Sequence, residues 1–411
     1  MSRYLFVVPP LVGHVNPAVG TAAVLAARGH DIAWAGPPEL VRRLAGPEAH
    51  VFPCVPSDSV PGHAADIKGR TAELKGPAAF QFLWESFLIP LADDMAPRIR
   101  AAIEKFGPDV VVADQQTVAG GIVAESLGLT WVTSATTSAE LVNPLAGMPR
   151  VAAWLDGLLE ALRGRIADGR GTADPRTSPH GVLAYTTRAL LGPVELPEHV
   201  WLVGPSLADR PAPADFPWEW LEGADRTVLV SLGTANADAT APFLNAAVQA
   251  LSGMAGVRAV IVDPAGCVSG AGENILLRRH VPQLPLLAHV DAAVCHAGHN
   301  TVCESLWHGV PLVVAPIRDD QPIVAGQVTA AGAGVRLRFG RADARRIADA
   351  VGTVLNEAAG HREAARAVGR SFRAAGGSET AADHLEALLR HSPPVPGSHG
   401  QGREQQRVGT Q

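Results

Sequence analysis

Between Asp291 and Gln321 the chain gathers small, amide, hydroxyl and acidic residues at spacings that suit a single ligand. Asp291 to Cys295 is a short apolar run that ends in His296-Ala297-Gly298-His299-Asn300. A helix is expected to begin near Thr301 and to stop at Gly309-Val310-Pro311, and Leu312 to Ala315 reads as a second buried strand. The unpaired N–H groups at the start of such a helix, together with its dipole, favour a phosphate anion. Gly298 lets the backbone come close, while His296, Asn300 and Thr301 add side-chain donors at the same end. One turn further on, Glu304 can accept hydrogen bonds from ribose hydroxyls. Asp320 and Gln321 fall just past the next strand, where ligands of open α/β sheets bind. A carboxylate beside an amide suits the hydroxyls of a hexose, so the segment reads as a site for a sugar carried on a nucleoside diphosphate.

A second set of residues could move a proton. Gly13-His14-Val15-Asn16-Pro17 follows the apolar run Tyr4–Val8, in a loop expected to extend from Pro9 to Pro17. An imidazole with an ordinary pKa of ~6.5 is mostly neutral at pH 7 and can accept a proton from a hydroxyl. Such a base needs an orienting carboxylate. Val110-Val111-Val112-Ala113 ends in Asp114, at the same edge of the expected sheet, whereas Asp109 lies at the opposite end. The competing reading of Asp114 is a cap on the helix that follows. Phe80, Phe82, Trp84 and Phe87 form an aromatic-dense helical stretch in a chain with few aromatics, and core packing at helical spacing accounts for it equally well.

The elements that must position these groups alternate along the chain, which argues for parallel sheets in an α/β fold. After Tyr4–Val8 comes a helix through Ala18–Arg28 and a strand at Asp31–Ala35; later come Val110–Ala113 and Thr130–Thr133. A second alternating set starts at Thr227–Ser231, with a helix from about Ala241 to Met254 and a strand at Arg258–Val262. Between the sets, residues 208–225 are rich in Pro and Trp and lack either period, as a linker does. The expected division is therefore 1–207, the linker, 226–369, a terminal helix at 370–391, and a tail at 392–411 without apolar periodicity. At 411 residues two domains of ordinary size are expected.

The segment Arg279-His280-Val281-Pro282-Gln283 together with His296 to Gln321 closely resembles the donor signature of nucleotide-sugar-dependent glycosyltransferases of the GT-B fold. The similarity is to the branch that includes plant and bacterial antibiotic-tailoring enzymes, among them those acting on macrolides. It covers about forty residues and implies two facing Rossmann-like domains with a cleft between them. In that family the histidine matched by His14 is the general base, and Asp114 falls at the position of its partner. Leu232-Gly233-Thr234 resembles the turn that meets the β-phosphate, with Gly233 and Thr234 as its contacts. His280, Val281 and Gln283 match the base-binding segment, with His280 where many members place a stacking tryptophan. Asp320-Gln321-Pro322-Ile323-Val324 departs from the family at Val324, where an asparagine is usual. The resemblance also implies an aglycone pocket lined by Phe80, Trp84, Phe87 and Thr136, and a last helix that crosses back to the first domain.

Taken with the motifs, the resemblance implies an inverting hexosyltransferase acting on a hydrophobic small molecule, with a UDP- or dTDP-linked sugar as co-substrate and no further cofactor. No Asp-x-Asp occurs in the sequence, so no catalytic metal is expected. A nucleotide-sugar epimerase of the same architecture and a non-catalytic helper of another transferase are the competing readings. A net charge of −6 gives no general attraction to nucleic acid or to anionic membranes. No apolar run reaches the ~18 residues of a membrane span. Cys54, Cys267, Cys295 and Cys303 have neither disulfide nor zinc spacing, so a cytoplasmic protein is expected. The oligomeric state is not legible.

Overall fold

The computed structural model describes residues 1–54, 76–142, 144–207, 215–233 and 240–391. Two all-parallel sheets carry the chain. The first holds β1 (Arg3–Val7), β2 (Asp31–Gly36), β3 (Val51–Pro53), β4 (Val110–Asp114), β5 (Trp131–Ala135), β6 (Val182–Ala184) and β7 (Val200–Leu202), in the spatial order 3-2-1-4-5-6-7. The second holds β8 (Arg226–Ser231), β9 (Val257–Val262), β10 (Ile275–Arg278), β11 (Ala292–Cys295), β12 (Leu312–Val314) and β13 (Gly334–Arg336), in the order 10-9-8-11-12-13. In each sheet the order reverses once, between β1 and β4 and between β8 and β11. Those are the switch points at which doubly wound sheets open a crevice for ligands.

Why these segments form interior strands is clear from their faces. In β1, Tyr4 and Phe6 pack into one apolar layer, while Leu5 and Val7 pack into the layer on the other side. β11 divides in the same way, with Ala293 and Cys295 on one side and Ala292 and Val294 on the other. A strand buried on both faces must read as a continuous apolar run, and these do.

The first sheet's outer layer is completed from the far end of the chain. The helix Ser378–His391 lies against the helix Val12–Ala27, with Ala381, Ala382 and Leu385 buried among Tyr4, Phe6, Val15 and Ala18. Arg28 pairs with Glu379 at 2.6 Å, Asp383 at 2.7 Å and Glu386 at 3.2 Å, and Trp201 stacks on His384 at 4.5 Å. The expected single helix over 370–391 is two helices, His361–Ala375 and Ser378–His391. Gly376 (φ 87°) and Gly377 (φ 60°) make the break, in a backbone region that side-chain-bearing residues rarely enter. Within the expected linker, Trp218–Leu221 forms a short 3-10 turn. Residues 208–214 and the tail 392–411 lie outside the described residues, as does Thr234. Among the described residues no helix is long and apolar enough to cross a membrane.

Candidate active site

His14 is not in a loop. The first helix begins at Val12, so His14 sits in its opening turn, with its N–H bonded to the Leu11 carbonyl at 3.0 Å. Pro17 lies inside this helix and removes one N–H from its hydrogen-bond ladder, yet the helix runs on from Val12 to Ala27. Asp114 ends β4, the neighbour of β1 across the switch point, and the two side chains meet: His14 Nδ1 lies 3.0 Å from each carboxylate oxygen. Asp114 also accepts from the Gln116 N–H at 2.8 Å, so it serves the turn after β4 as well, and Thr117 rather than Asp114 is the N-cap of the helix Val118–Ser126.

Thr136, just past β5, completes this junction. Its hydroxyl donates to Asp114 Oδ2 at 2.9 Å and lies 2.8 Å from His14 Nδ1. A hydroxyl has one proton. With that proton on Asp114, Nδ1 must carry its own, and the lone pair is left on Nε2, the nitrogen a base would use. Burial pushes the imidazole pKa down, but the charge and hydrogen bond of Asp114 outweigh it, and the net displacement is upward from 6.5.

At the second switch point the donor-type residues converge. The helix His299–Trp307 starts two residues earlier than expected, with Gly298 as an N-cap that offers no side chain to its first N–H groups. Ala297 has φ 66° and is fully buried, an unusual conformation for a residue with a Cβ, and it turns the chain from β11 into the helix. Gly233 (φ 73°), after β8, lies so close to the His296 ring that a Cβ there would stand 2.8 Å from Cε1. Burial lowers the His296 pKa to about 4. At that value the imidazole is neutral at pH 7, so it can take part in hydrogen bonds but carries no charge.

Gln283 opens the short helix Gln283–Leu287 and bridges two elements: Nε2 donates to Glu304 Oε2 at 2.7 Å, and Oε1 accepts from Ser231 Oγ at 3.2 Å. Thr301 Oγ1 lies 3.5 Å from the same amide nitrogen. Val281 is half-buried against the domain core, whereas His280 is exposed. Gln321 uses its side-chain oxygen to accept from the N–H groups of Ile317 and Arg318, at 2.8 and 3.1 Å. Val324 is fully buried, so the position where the family places asparagine belongs here to the core.

The run Thr136-Thr137-Ser138 joins the two halves, a role that its small hydroxyl residues after a buried strand did not reveal. Thr137 donates to Asp320 Oδ2 at 2.5 Å and Ser138 to Gln327 Oε1 at 2.6 Å. His299 reaches back, with Nε2 3.2 Å from the Tyr185 carbonyl. The aromatic wall is a correction. Trp84 and Phe87 are each only 4% exposed and pack with Leu5, Val7 and Leu91 in the first domain's core, so neither has surface to give an acceptor. Phe80 is half-buried, with ring centroids 6.2 Å from Trp84 and 6.3 Å from Trp154. Among the described residues no three His, Cys, Asp or Glu side chains cluster so as to hold a metal ion.

Comparison with known proteins agrees with this geometry. Residues 208–367 match the family model described as UDP-glucoronosyl and UDP-glucosyl transferase. Over 401 residues the chain is 30% identical to 4'-demethylrebeccamycin synthase of Lentzea aerocolonigenes, covering 87% of this chain and 92% of that one. It is 29% identical to the demethyllactenocin mycarosyltransferase of Streptomyces fradiae, covering 95% and 87%. Among solved structures, the kitacinnamycin glycosyltransferase superposes with a TM-score of 0.74 at 26% identity, covering 94% of this chain and 98% of that chain. With two facing parallel-sheet domains and this degree of likeness along nearly its whole length, the chain belongs to the UDP-glucuronosyl and UDP-glucosyl transferase family, glycosyltransferases of the GT-B fold.

Proposed function

We propose that this protein is an inverting glycosyltransferase that moves a hexose from a uridine or thymidine diphosphate sugar to a hydrophobic natural-product acceptor. The observation that carries the reading is the His14–Asp114–Thr136 junction at one switch point, one residue from a direct hydrogen bond to the donor-type helix at the other. His14 Nε2 takes the proton of the acceptor hydroxyl. The oxygen attacks the anomeric carbon from the face opposite the diphosphate, the bond to the phosphate oxygen breaks, and configuration inverts. Asp114 holds the ring in the productive tautomer and stabilises the imidazolium that forms. The N–H groups at the start of the helix His299–Trp307, with Thr301 and neutral His296, stabilise the departing nucleoside diphosphate. Glu304 takes the ribose hydroxyls, and Asp320 with the Gln321 amide takes the hexose. The named relatives favour a tailoring role, one of them being called a mycarosyltransferase of demethyllactenocin.

Transfer across a panel of nucleotide sugars and polycyclic or macrolide acceptors, read by mass, tests the reading. His14→Ala is expected to lower kcat by about 10²–10⁴ and to leave nucleoside diphosphate affinity unchanged. Full activity of that variant at pH 7 would remove His14 as the base. Because helix N–H groups can take the place of a metal at the diphosphate, activity is expected to survive EDTA. Loss on chelation, restored by Mg²⁺, would contradict that assignment.

A further inference from the structure

Asn300 sits in the donor-type turn, yet its carboxamide is engaged in the other half of the chain. The reason begins with Pro17, which lies inside the helix Val12–Ala27. In an α-helix the Gly13 carbonyl would accept from the N–H of residue 17, and proline has none. The partner that takes its place is remote: Asn300 Nδ2 donates to Gly13 O at 2.7 Å. A carbonyl can only accept, so the chemistry of the pair fixes which end of the amide faces it. A Cβ built on Gly13 would find Asn300 Nδ2 as its nearest neighbour, at 3.7 Å, so this face of Gly13 looks directly onto Asn300. His14 is the next residue, and its ring is tied to Asp114 and Thr136. Asn300 is the second residue of the helix whose first N–H groups lack a capping side chain. One hydrogen bond therefore links the turn that carries the imidazole to the turn that carries the phosphate-type site.

We propose that Asn300 is a positioning residue, which acts through the carbonyl that Pro17 leaves free and sets His14 against the bound sugar donor. The inference rests on the assignment of His14 as base and of the 299–301 turn as donor site. It differs from a role as a simple phosphate ligand in what is lost. A ligand contributes donor affinity. A positioning residue contributes kcat, because an error of about 1 Å in the approach of reacting groups can cost roughly 10²-fold in rate.

The test uses the full chain with Asn300→Ala and with Asn300→Leu, which keeps a similar volume, removes the donor and adds no charge beside the phosphate-type site. Calorimetry gives the dissociation constants of UDP and dTDP, and mass-detected transfer gives kcat at saturating substrates. The expected result is a fall in kcat of about 10- to 100-fold, with the better-binding nucleotide held within a few-fold of the parent chain. In a His14→Ala background, Asn300→Ala is expected to add almost nothing, since the group it positions is gone. A large loss of nucleotide affinity with kcat retained would overturn the proposal, as would an undiminished effect in the His14→Ala background. Far-ultraviolet circular dichroism checks that the variants fold, and Asn300→Leu decides the matter if Asn300→Ala does not. A parent chain that transfers no sugar, or a fully active His14→Ala, would defeat the underlying assignment. An active parent whose Asn300 variants keep kcat would defeat this inference alone.

Discussion

At the scale of the residue, the direction of the His14 displacement has a kinetic consequence. A general base works in its unprotonated form, so a pKa raised above 6.5 places the acid limb of the rate profile higher on the pH axis. Asp114 is the source of that rise, through its charge and its hydrogen bond, against the opposing effect of burial. Asp114→Asn removes the charge, and the acid limb of kcat/KM is expected to move to lower pH while the plateau falls. A limb that moved up, or did not move, would show that another group controls it. Thr136 reinforces what Asp114 imposes: the carboxylate can only accept, so Nδ1 carries the proton and Nε2 is left free, and the Thr136 hydroxyl donates to the same carboxylate.

Elements are held by burial more than by their visible ion pairs, and the last helix shows the contrast. Arg28 reaches three carboxylates there, but the Glu379 and Asp383 side chains are 67% and 64% exposed. Pairs of this kind contribute about 0–1 kcal/mol. Leu385 is fully buried beneath the same helix. Leu385→Ala is expected to cost about 2–5 kcal/mol, and Arg28→Ala no more than about 1 kcal/mol, read as denaturant midpoints at constant slope. The reverse order would mean that the ionic cluster rather than the apolar layer holds the helix on the first domain. Since that layer includes Val15 and Ala18, loosening it would also disturb the helix whose first turn carries His14.

For the molecule as a whole, the proposed sugar site is tied to both halves. Asp320 belongs to the second sheet's loops, yet its carboxylate accepts from Thr137 of the first. We expect Thr137→Val to change the relative kcat/KM for different donor sugars, because recognition of a hydroxyl depends on how the carboxylate is oriented. The change should vanish when Asp320→Ala is already present. Equal effects of Thr137→Val in both backgrounds would show that the two side chains act independently.

By itself the sequence determined the fold class and the alternation of strands and helices, and it singled out the polar residues that gather at the second switch point. It could do so because strands buried on both faces must be apolar throughout, and because the polar positions from His296 to Gln321 are close along the chain. The pairing of His14 with Asp114 was also within reach, since both follow strand-like runs at the same sheet edge. Tertiary structure alone decided the rest. Whether Trp84 and Phe87 line a pocket or fill a core depends on which helices pack over them, and helical spacing is the same in both cases. The break at Gly376-Gly377 and the early helix start at Val12 turn on backbone geometry that neighbouring packing selects. The bonds from Thr136, Thr137 and Ser138, and the one from Asn300 to Gly13, join residues separated by 22 to 287 positions. Hydroxyls and amides suit many partners, and only the approach of two sheets chooses among them.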